Sequence, residues 1–518
     1  MFVMCAAQPH RVGVVIRPTL TVRFPPGGLL RPRASRSLDP TGMPQFGQRP
    51  LVRGALLAAM LPLPLALSLF DRNRPELHSD ILDHFKYGSI GAEERAGIPL
   101  EIWAVLPDLF PDHLPDRPGR GYERFGFLFE PGKPRPIGTS LRDRQVPLVG
   151  LNCAVCHAGR LRDEPGAPAR IVLGMPSHQF DLQAYQRFVF ACVRDPRFTP
   201  DTVWSAIRSR NPRLSWLDGL LYRWFVIPQT RQEGERLARD FSWFDRDPPH
   251  GPGRVNTFES YKVMFGLSLA ADRAVGTADL PSLWNQRIRD GMWLHWDGNN
   301  NLVTERNKSA AIGAGCSEAS LDLASMKRVE EWIWNLPAPR FPADRIRPDR
   351  AAAGAPIYQR ECAECHEPGG PRTGQAIPLA EIGTDPEREH SFTAELAAKM
   401  NTLGSGRPWK FTRFRKSNGY AAMPLDGVWL RAPYLHNGSV PTLRHLLEPP
   451  DRRPAVFWRG YDVYDYNDVG FLSGGAEAAR AGFRYDTSAK GNGRGGHLYG
   501  TALAQRDKDD LLEYLKTK

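Results

Sequence analysis

Hydrophobic and polar positions divide this 518-residue chain into stretches of unequal regularity. Near the N-terminus an apolar run of 17 residues, Gly54 to Phe70, follows Arg49 and Arg53 and stops at Asp71-Arg72. Pro62 and Pro64 lie inside it, and it is slightly short for a spanning helix. Residues 43–70 therefore read as a secretory signal with a weak small-x-small site at Ala66-Leu67-Ser68, or alternatively as an uncleaved anchor. Residues 1–42, rich in Arg and Pro, read as a leader or a misassigned start. From Tyr87 to Leu151 Gly and Pro are frequent and periodic runs few, which predicts loops. Helical spacing returns in Leu182 to Val193 and Leu220 to Phe225, with Trp204, Trp216, Trp224 and Trp243 expected in the core. Pro-rich punctuation from Asn335 to Pro348 marks a boundary. Beyond it, Asp349 to Glu361 reads as a short Ala-rich helix, and Lys508 to Lys516 closes the chain with Leu511, Leu512 and Leu515 as an apolar stripe. The pattern predicts a mainly α fold with an N-terminal domain over 75–345, a helical insertion at about 180–280, and a C-terminal domain over 349–518.

The chemistry is concentrated in two copies of one pattern, Cys153-Ala154-Val155-Cys156-His157 and Cys362-Ala363-Glu364-Cys365-His366. C-x-x-C-H is the attachment signature of c-type haem, in which two thiols bind the porphyrin and the histidine ligates the iron. A thioredoxin-type redox pair does not demand the trailing His, and a zinc ribbon needs its second C-x-x-C much closer than 209 residues. Two covalently bound haems c are therefore expected, with His157 and His366 as proximal iron ligands. Covalent attachment takes place outside the cytoplasm, which agrees with an export signal and a periplasmic or secreted location.

This location changes how the charge is read. Residues 1–68 hold eight Arg against one acid, Asp39, and so account for +7 of the formal +11. Haem propionates would offset much of the remainder, so a nucleic-acid reading of the basic balance fails. Cys5 lies in the leader, leaving Cys192 and Cys316 as one disulfide or two buried thiols.

The open question is the sixth position of each iron, since an empty position binds peroxide or dioxygen and a filled one makes an electron-transfer haem. For the second haem the candidates after His366 are Met400, Met423, His436, His445 and His497. His497 is preferred, because the loop Gly491-Asn492-Gly493-Arg494-Gly495-Gly496 is flexible enough to carry an imidazole over a haem. Met423 stands at about the distance at which small cytochromes c place an axial Met. For the first haem His178 is the candidate, against an ordinary core or surface histidine.

Two further segments carry a resemblance. Leu280-Pro281-Ser282-Leu283-Trp284-Asn285 leads into Leu294-His295-Trp296-Asp297-Gly298-Asn299, and Ala432-Pro433-Tyr434-Leu435-His436-Asn437-Gly438-Ser439 follows the second motif. With these the chain resembles the dihaem cytochrome c peroxidases and their tryptophan-tryptophylquinone-forming relatives, over roughly 150–157 and 280–518. The resemblance implies that Trp296 carries electrons between the haems, with Trp284 and Trp293 as understudies, and that Asn285 ligates a bridging calcium ion. In layout the chain is most similar to the dihaem rubber oxygenases, because 139 residues separate His157 from Trp296 and a Gly-His-x-Tyr-Gly segment contains His497. That similarity implies an open first haem and a second haem between two histidines. The distal glutamate of the peroxidases has only Glu305 and Glu318 as candidates, each more simply read as a charged surface residue.

Together these imply an exported peroxidase-like oxidoreductase with catalytic Trp296 and His157. Electrons from a small redox protein would enter at the second haem and reach a peroxide-reactive first haem. A dioxygenase acting on an apolar organic substrate and a non-catalytic electron-transfer cytochrome are the alternatives.

Overall fold

The computed structural model describes residues 73–270 and 272–518; the leader, signal and anchor expectations on residues 1–70 lie outside them. Helices predominate and the strands are short. The first haem motif is delivered by a four-stranded antiparallel sheet of β1 (Arg74–Pro75), β2 (Ile98–Pro99), β3 (Thr139–Asp143) and β4 (Leu148–Leu151), in the order β1-β3-β4-β2. β3 and β4 form a hairpin with Thr139 opposite Leu151. The chain leaves β4 directly into Asn152, which pins the motif. Its side-chain amide donates to the carbonyl of Gly88 at 2.9 Å, and its Oδ1 accepts from the Ala154 amide at 3.0 Å. Gly138 (φ +87°) faces the Val155 backbone, where a Cβ would overlap it, so only glycine lets the motif sit on the hairpin.

This region was expected to be loops; 114–120 and 126–138 are, but the rest holds this sheet and a ten-residue helix. Strands of two to five residues are too short to leave an alternating pattern. The helix Leu100–Leu109 contains Pro107, and the segment buries Ile102, Trp103, Val105, Leu106 and Phe110, so no clear polar face marks it.

The insertion is helical as expected. Leu182–Arg194 starts at Asp181, whose side chain accepts from the Ala184 amide, and Pro200–Arg210 starts at Thr199 with Pro200 in the first turn. Trp216–Leu221 opens with a Ser215/Asp218 capping box, passes through a π-helical turn at Tyr222–Val226, and continues as Ile227–Asp240. These helices pack on an aromatic core in which Trp103 stacks on Tyr122 at 4.1 Å and donates to the Tyr185 hydroxyl at 3.1 Å. Trp243 is buried and Trp204 packs against Tyr222. Trp216 and Trp224 are 73% and 71% exposed, contrary to the core placement expected for them. Gly219 and Tyr222 occupy the inward face of that helix, which turns the two indoles outward.

In the C-terminal part Pro348–Glu361 packs along Gln505–Leu515, the two helices expected from the sequence. Leu511, Leu512 and Leu515 close on Ile357 and Tyr358. Arg347 pairs with Glu513 at 2.8 Å and Arg350 with Asp510 at 2.6 Å along the edge. The halves meet through Asp462, which binds Arg160 and Arg162, and through the stacking of His178 on Phe471 at 3.9 Å.

Two predictions follow from this packing. A Cβ at Gly354 would overlap the Asp510 carbonyl, so Gly354→Ala should cost about 1–3 kcal/mol in denaturant unfolding by forcing the helices apart. His84 is buried, and its pKa falls from 6.5 to about 4 through burial first, then the nearby charges of Arg328 and His78. The fold favours neutral His84, so this contribution is complete above about pH 6.5 and is lost as pH falls towards 4. A stability-against-pH profile should therefore flatten across that window in His84→Gln.

Candidate haem sites

The first motif occupies the one-turn helix Ala154–His157. Ala154 and Val155 are buried against the protein, while Cys153, Cys156 and His157 keep exposed surface. Yet the surroundings push the Cys153 thiol up to about 11 and that of Cys156 to about 12, and His157 down to about 3. Burial is the main cause in each case. Arg306 lowers His157 further, while the Pro281 carbonyl opposes this. Arg306 also acts on Cys153 and on His295, and is itself brought down to about 10 by burial. His295 has a buried Nε2 without a partner and a left-handed backbone (φ +62°). The charge of Arg306 thus bears on His157, Cys153 and this unpaired imidazole alike.

The second motif lies at the end of Pro348–Glu361, on the one-turn helix Ala363–His366. His366 Nδ1 lies 2.7 Å from the Met423 carbonyl, which fixes the ring and leaves Nε2 free to ligate. Met423 is thus on the proximal side of His366, and an axial Met423 is overturned. The ring of His497 faces that of His366 at 6.3 Å between centroids and 41° between planes. A metal–imidazole bond of about 2.0 Å on each side, plus roughly 1 Å from each nitrogen to its ring centre, spans about 6 Å. The pair could therefore hold one metal ion between them. The glycine-rich loop is not the flexible arm expected. Buried Arg453 donates to the carbonyls of Arg494 at 2.7 Å, Gly496 at 2.8 Å and His497 at 3.2 Å. The His497 amide donates to the Ile382 carbonyl at 2.8 Å.

The other candidates are engaged elsewhere. Met400 is buried in the N-terminal core, and His445 Nδ1 lies 2.8 Å from the Thr442 hydroxyl. His436 stacks on Tyr420 at 4.0 Å. His178 Nε2 lies 3.0 Å from the Tyr461 carbonyl, so the nitrogen expected to cap the first iron instead ties the halves together.

Trp296 sits in a turn that has a counterpart the sequence reading missed. Leu294–Asn300 and Tyr434–Val440 are each closed by a bridge between their ends. Each has positive φ at the second and fifth residues: His295 and Gly298, Leu435 and Gly438. Trp296 and His436 occupy the same place in the two turns, as do Asp297 and Asn437. The signal was an x-Gly pair four and five residues after Trp293 or Pro433, hidden by the exchange of Trp for His and Asp for Asn. The two turns meet at Asp279: Trp296 Nε1 donates to its carbonyl at 2.6 Å, and its amide donates to the His436 carbonyl at 2.9 Å. Trp284 is buried and donates to the Leu173 carbonyl, whereas the Arg415 guanidinium covers the Trp293 ring at 3.0 Å.

Asn285 donates to Asp426 at 2.9 Å, and that carboxylate is already paired with Arg289 and Arg431. Two guanidinium groups thus supply the positive charge where calcium was expected, and the donor set does not fit that ion. Glu305 accepts from Asn300 at 2.9 Å and from the Thr412 amide at 2.8 Å, while Glu318 pairs with Arg407 near the surface. Both carboxylates have structural partners. Cys192 and Cys316 are buried free thiols.

Residues 419–459, which include Tyr420, Met423 and His436, match the family described as RoxA-like, cytochrome c-like. A cytochrome c-like segment implies covalently bound haem c and a haem-dependent oxidoreductase. The match supports a relationship to rubber-oxygenase-like cytochromes. The chain is also similar to two proteins of Sinorhizobium fredii (strain NBRC 101917 / NGR234). It is 25% identical to uncharacterized protein y4iJ over 548 aligned positions, covering 86% of this chain and 85% of that one. It is 31% identical to uncharacterized protein y4iM over 289 positions, covering 46% of this chain and 64% of that one.

Proposed function

We propose that this chain is an exported dihaem c-type oxidoreductase that activates dioxygen at its first haem and acts on an apolar organic substrate. The observation that carries this reading is the facing of His366 and His497 at 6.3 Å, a separation that suits two imidazoles sharing one metal ion, with no equivalent ring pair at His157 among the described residues. One site would then be saturated for electron transfer and the other open. The RoxA-like match supports the choice of dioxygen over peroxide. Haem c, when bound, supplies an iron that can bind dioxygen and change oxidation state.

The chain's own residues do the rest. Cys153, Cys156, Cys362 and Cys365 would attach the two groups, and His157 and His366 would ligate their irons. The Met423 carbonyl orients the His366 ring and keeps its proton on Nδ1, whereas His157 Nδ1 is buried without a hydrogen-bond partner among the described residues. Arg453 holds the His497 loop in place. Arg306, whose charge acts on His157, Cys153 and His295, would supply positive charge at the first site. Trp296, an oxidisable indole on the Asp279 carbonyl, relays electrons between the two halves.

Peroxide reduction, with electrons entering at the second haem from a small redox protein, is the second reading. The placement of Trp296 at the junction of the two turns favours it. Export to the periplasm or beyond belongs to both readings, since haem c attachment takes place there.

Electron paramagnetic resonance of the oxidised protein should show one low-spin bis-imidazole haem and one high-spin haem. His497→Ala should convert the former to high spin; an unchanged low-spin signal would refute the ligand assignment. Titration of the reduced protein with dioxygen and with peroxide distinguishes the two substrates at the first haem. Trp296→Phe should slow electron exchange between the haems several-fold while leaving both absorption spectra in place; unchanged exchange would remove Trp296 from the route.

A further inference from the structure

The segment Trp216–Phe225 places Trp216, Leu217, Leu220, Trp224 and Phe225 at 73%, 54%, 46%, 71% and 59% exposure. The opposite side of the same segment is already satisfied by burial. Gly219 lies against Trp204, Tyr222 is buried, and Val226 packs on the core. A helix apolar on both sides buries both in its working environment, and a contiguous exposed apolar patch marks a contact surface. The π-helical turn at Tyr222–Val226 adds one residue to the turn. It thereby brings Phe225 as well as Trp224 round to the side of Trp216 and Leu220.

The charge beside the patch selects its occupant. Arg208, Arg210, Arg213 and Arg223 lie on or next to these helices, against Asp201, Asp218, Asp108 and Glu101; Arg210 pairs with Asp108 at 3.9 Å, and Glu101 accepts from Asn211. Asp201 is spent on Arg223, and Asp218 on the Ser215 cap. Arg208 and Arg213 are exposed and make no ion pair with a described residue. Tryptophans at both ends of an apolar face, flanked by arginines, are the composition of a helix lying in a membrane interface. The helix is also too short and too charged at its margins to cross: among the described residues no helix is long and apolar enough to span a membrane.

We propose that this face docks the protein onto the surface of an anionic lipid bilayer, with the indoles at headgroup depth and the arginines on lipid phosphates. The proposal is independent of the haem chemistry.

Co-sedimentation of the haem-loaded protein with phosphatidylcholine vesicles, with and without phosphatidylglycerol, tests it. Binding should require phosphatidylglycerol, weaken with added salt, and fall about tenfold or more in the Trp216→Ser/Trp224→Ser variant. Brominated acyl chains should quench tryptophan emission in the parent protein and much less in that variant. Both substituted positions are exposed, so the haem absorption spectrum and thermal midpoint should stay unchanged and report an intact fold. Equal binding of parent and variant, or indifference to phosphatidylglycerol, would overturn the proposal. So would equal uptake onto uncharged hydrocarbon droplets, which would assign the face to a bulk apolar substrate. A concentration-dependent dimer that the variant loses would assign it to a second copy, and would overturn the proposal too.

Discussion

The contact between His366 Nδ1 and the Met423 carbonyl joins residues 57 positions apart, and most of the C-terminal architecture serves it. An imidazole rotates freely unless its second nitrogen is held, and a ligand that rotates is a poor ligand. The helix Pro348–Glu361 fixes one end of this contact by packing on Gln505–Leu515, across a gap that only Gly354 leaves narrow enough. The other end is fixed by the strand Gly419–Ala421, paired with Ala376–Pro378, which delivers Met423. His497 then needs only a rigid loop opposite, and Arg453 makes it rigid.

A related plan is visible in the N-terminal half, with different parts. The β3–β4 hairpin and Asn152 fix the motif, while His157 Nδ1 has no hydrogen-bond partner among the described residues, unlike His366. The paired turns around Trp296 and His436 carry this likeness to the centre of the molecule, where both lean on Asp279. That aspartate is buried between Arg459 at 2.8 Å and Arg254 at 3.9 Å, so its side chain is held while its backbone receives one turn and supports the other. The junction between the halves is therefore stiff at the place where an electron would cross.

What was legible in the sequence was local. The two C-x-x-C-H motifs need five residues each, and the helices at 182–194, 348–361 and 505–515 carry long enough patterns to be found within a few residues of their ends. Short strands leave no such pattern, which is why 87–151 read as loops. Trp216 and Trp224 were misplaced because an apolar residue looks the same whether it faces a core or an external surface. The Arg453 clamp joins chain segments some 40 residues apart through backbone carbonyls, which have no sequence signature. The turn repeat escaped because its backbone is kept while its side chains change chemistry.

Arg453 has a second consequence beyond holding a loop. Its guanidinium is buried and meets carbonyl oxygens alone, with no carboxylate partner among the described residues. Burial first, and the nearby charge of Arg494 second, lower its pKa to about 10, yet at neutral pH the group stays charged. A full positive charge is thus stored in a low-dielectric setting one residue from His497. Electrostatically, such a charge lowers the energy of any electron placed nearby. A redox centre seated between His366 and His497 would be biased towards its reduced form, and the same arginine that gives the site its shape would set its electron affinity.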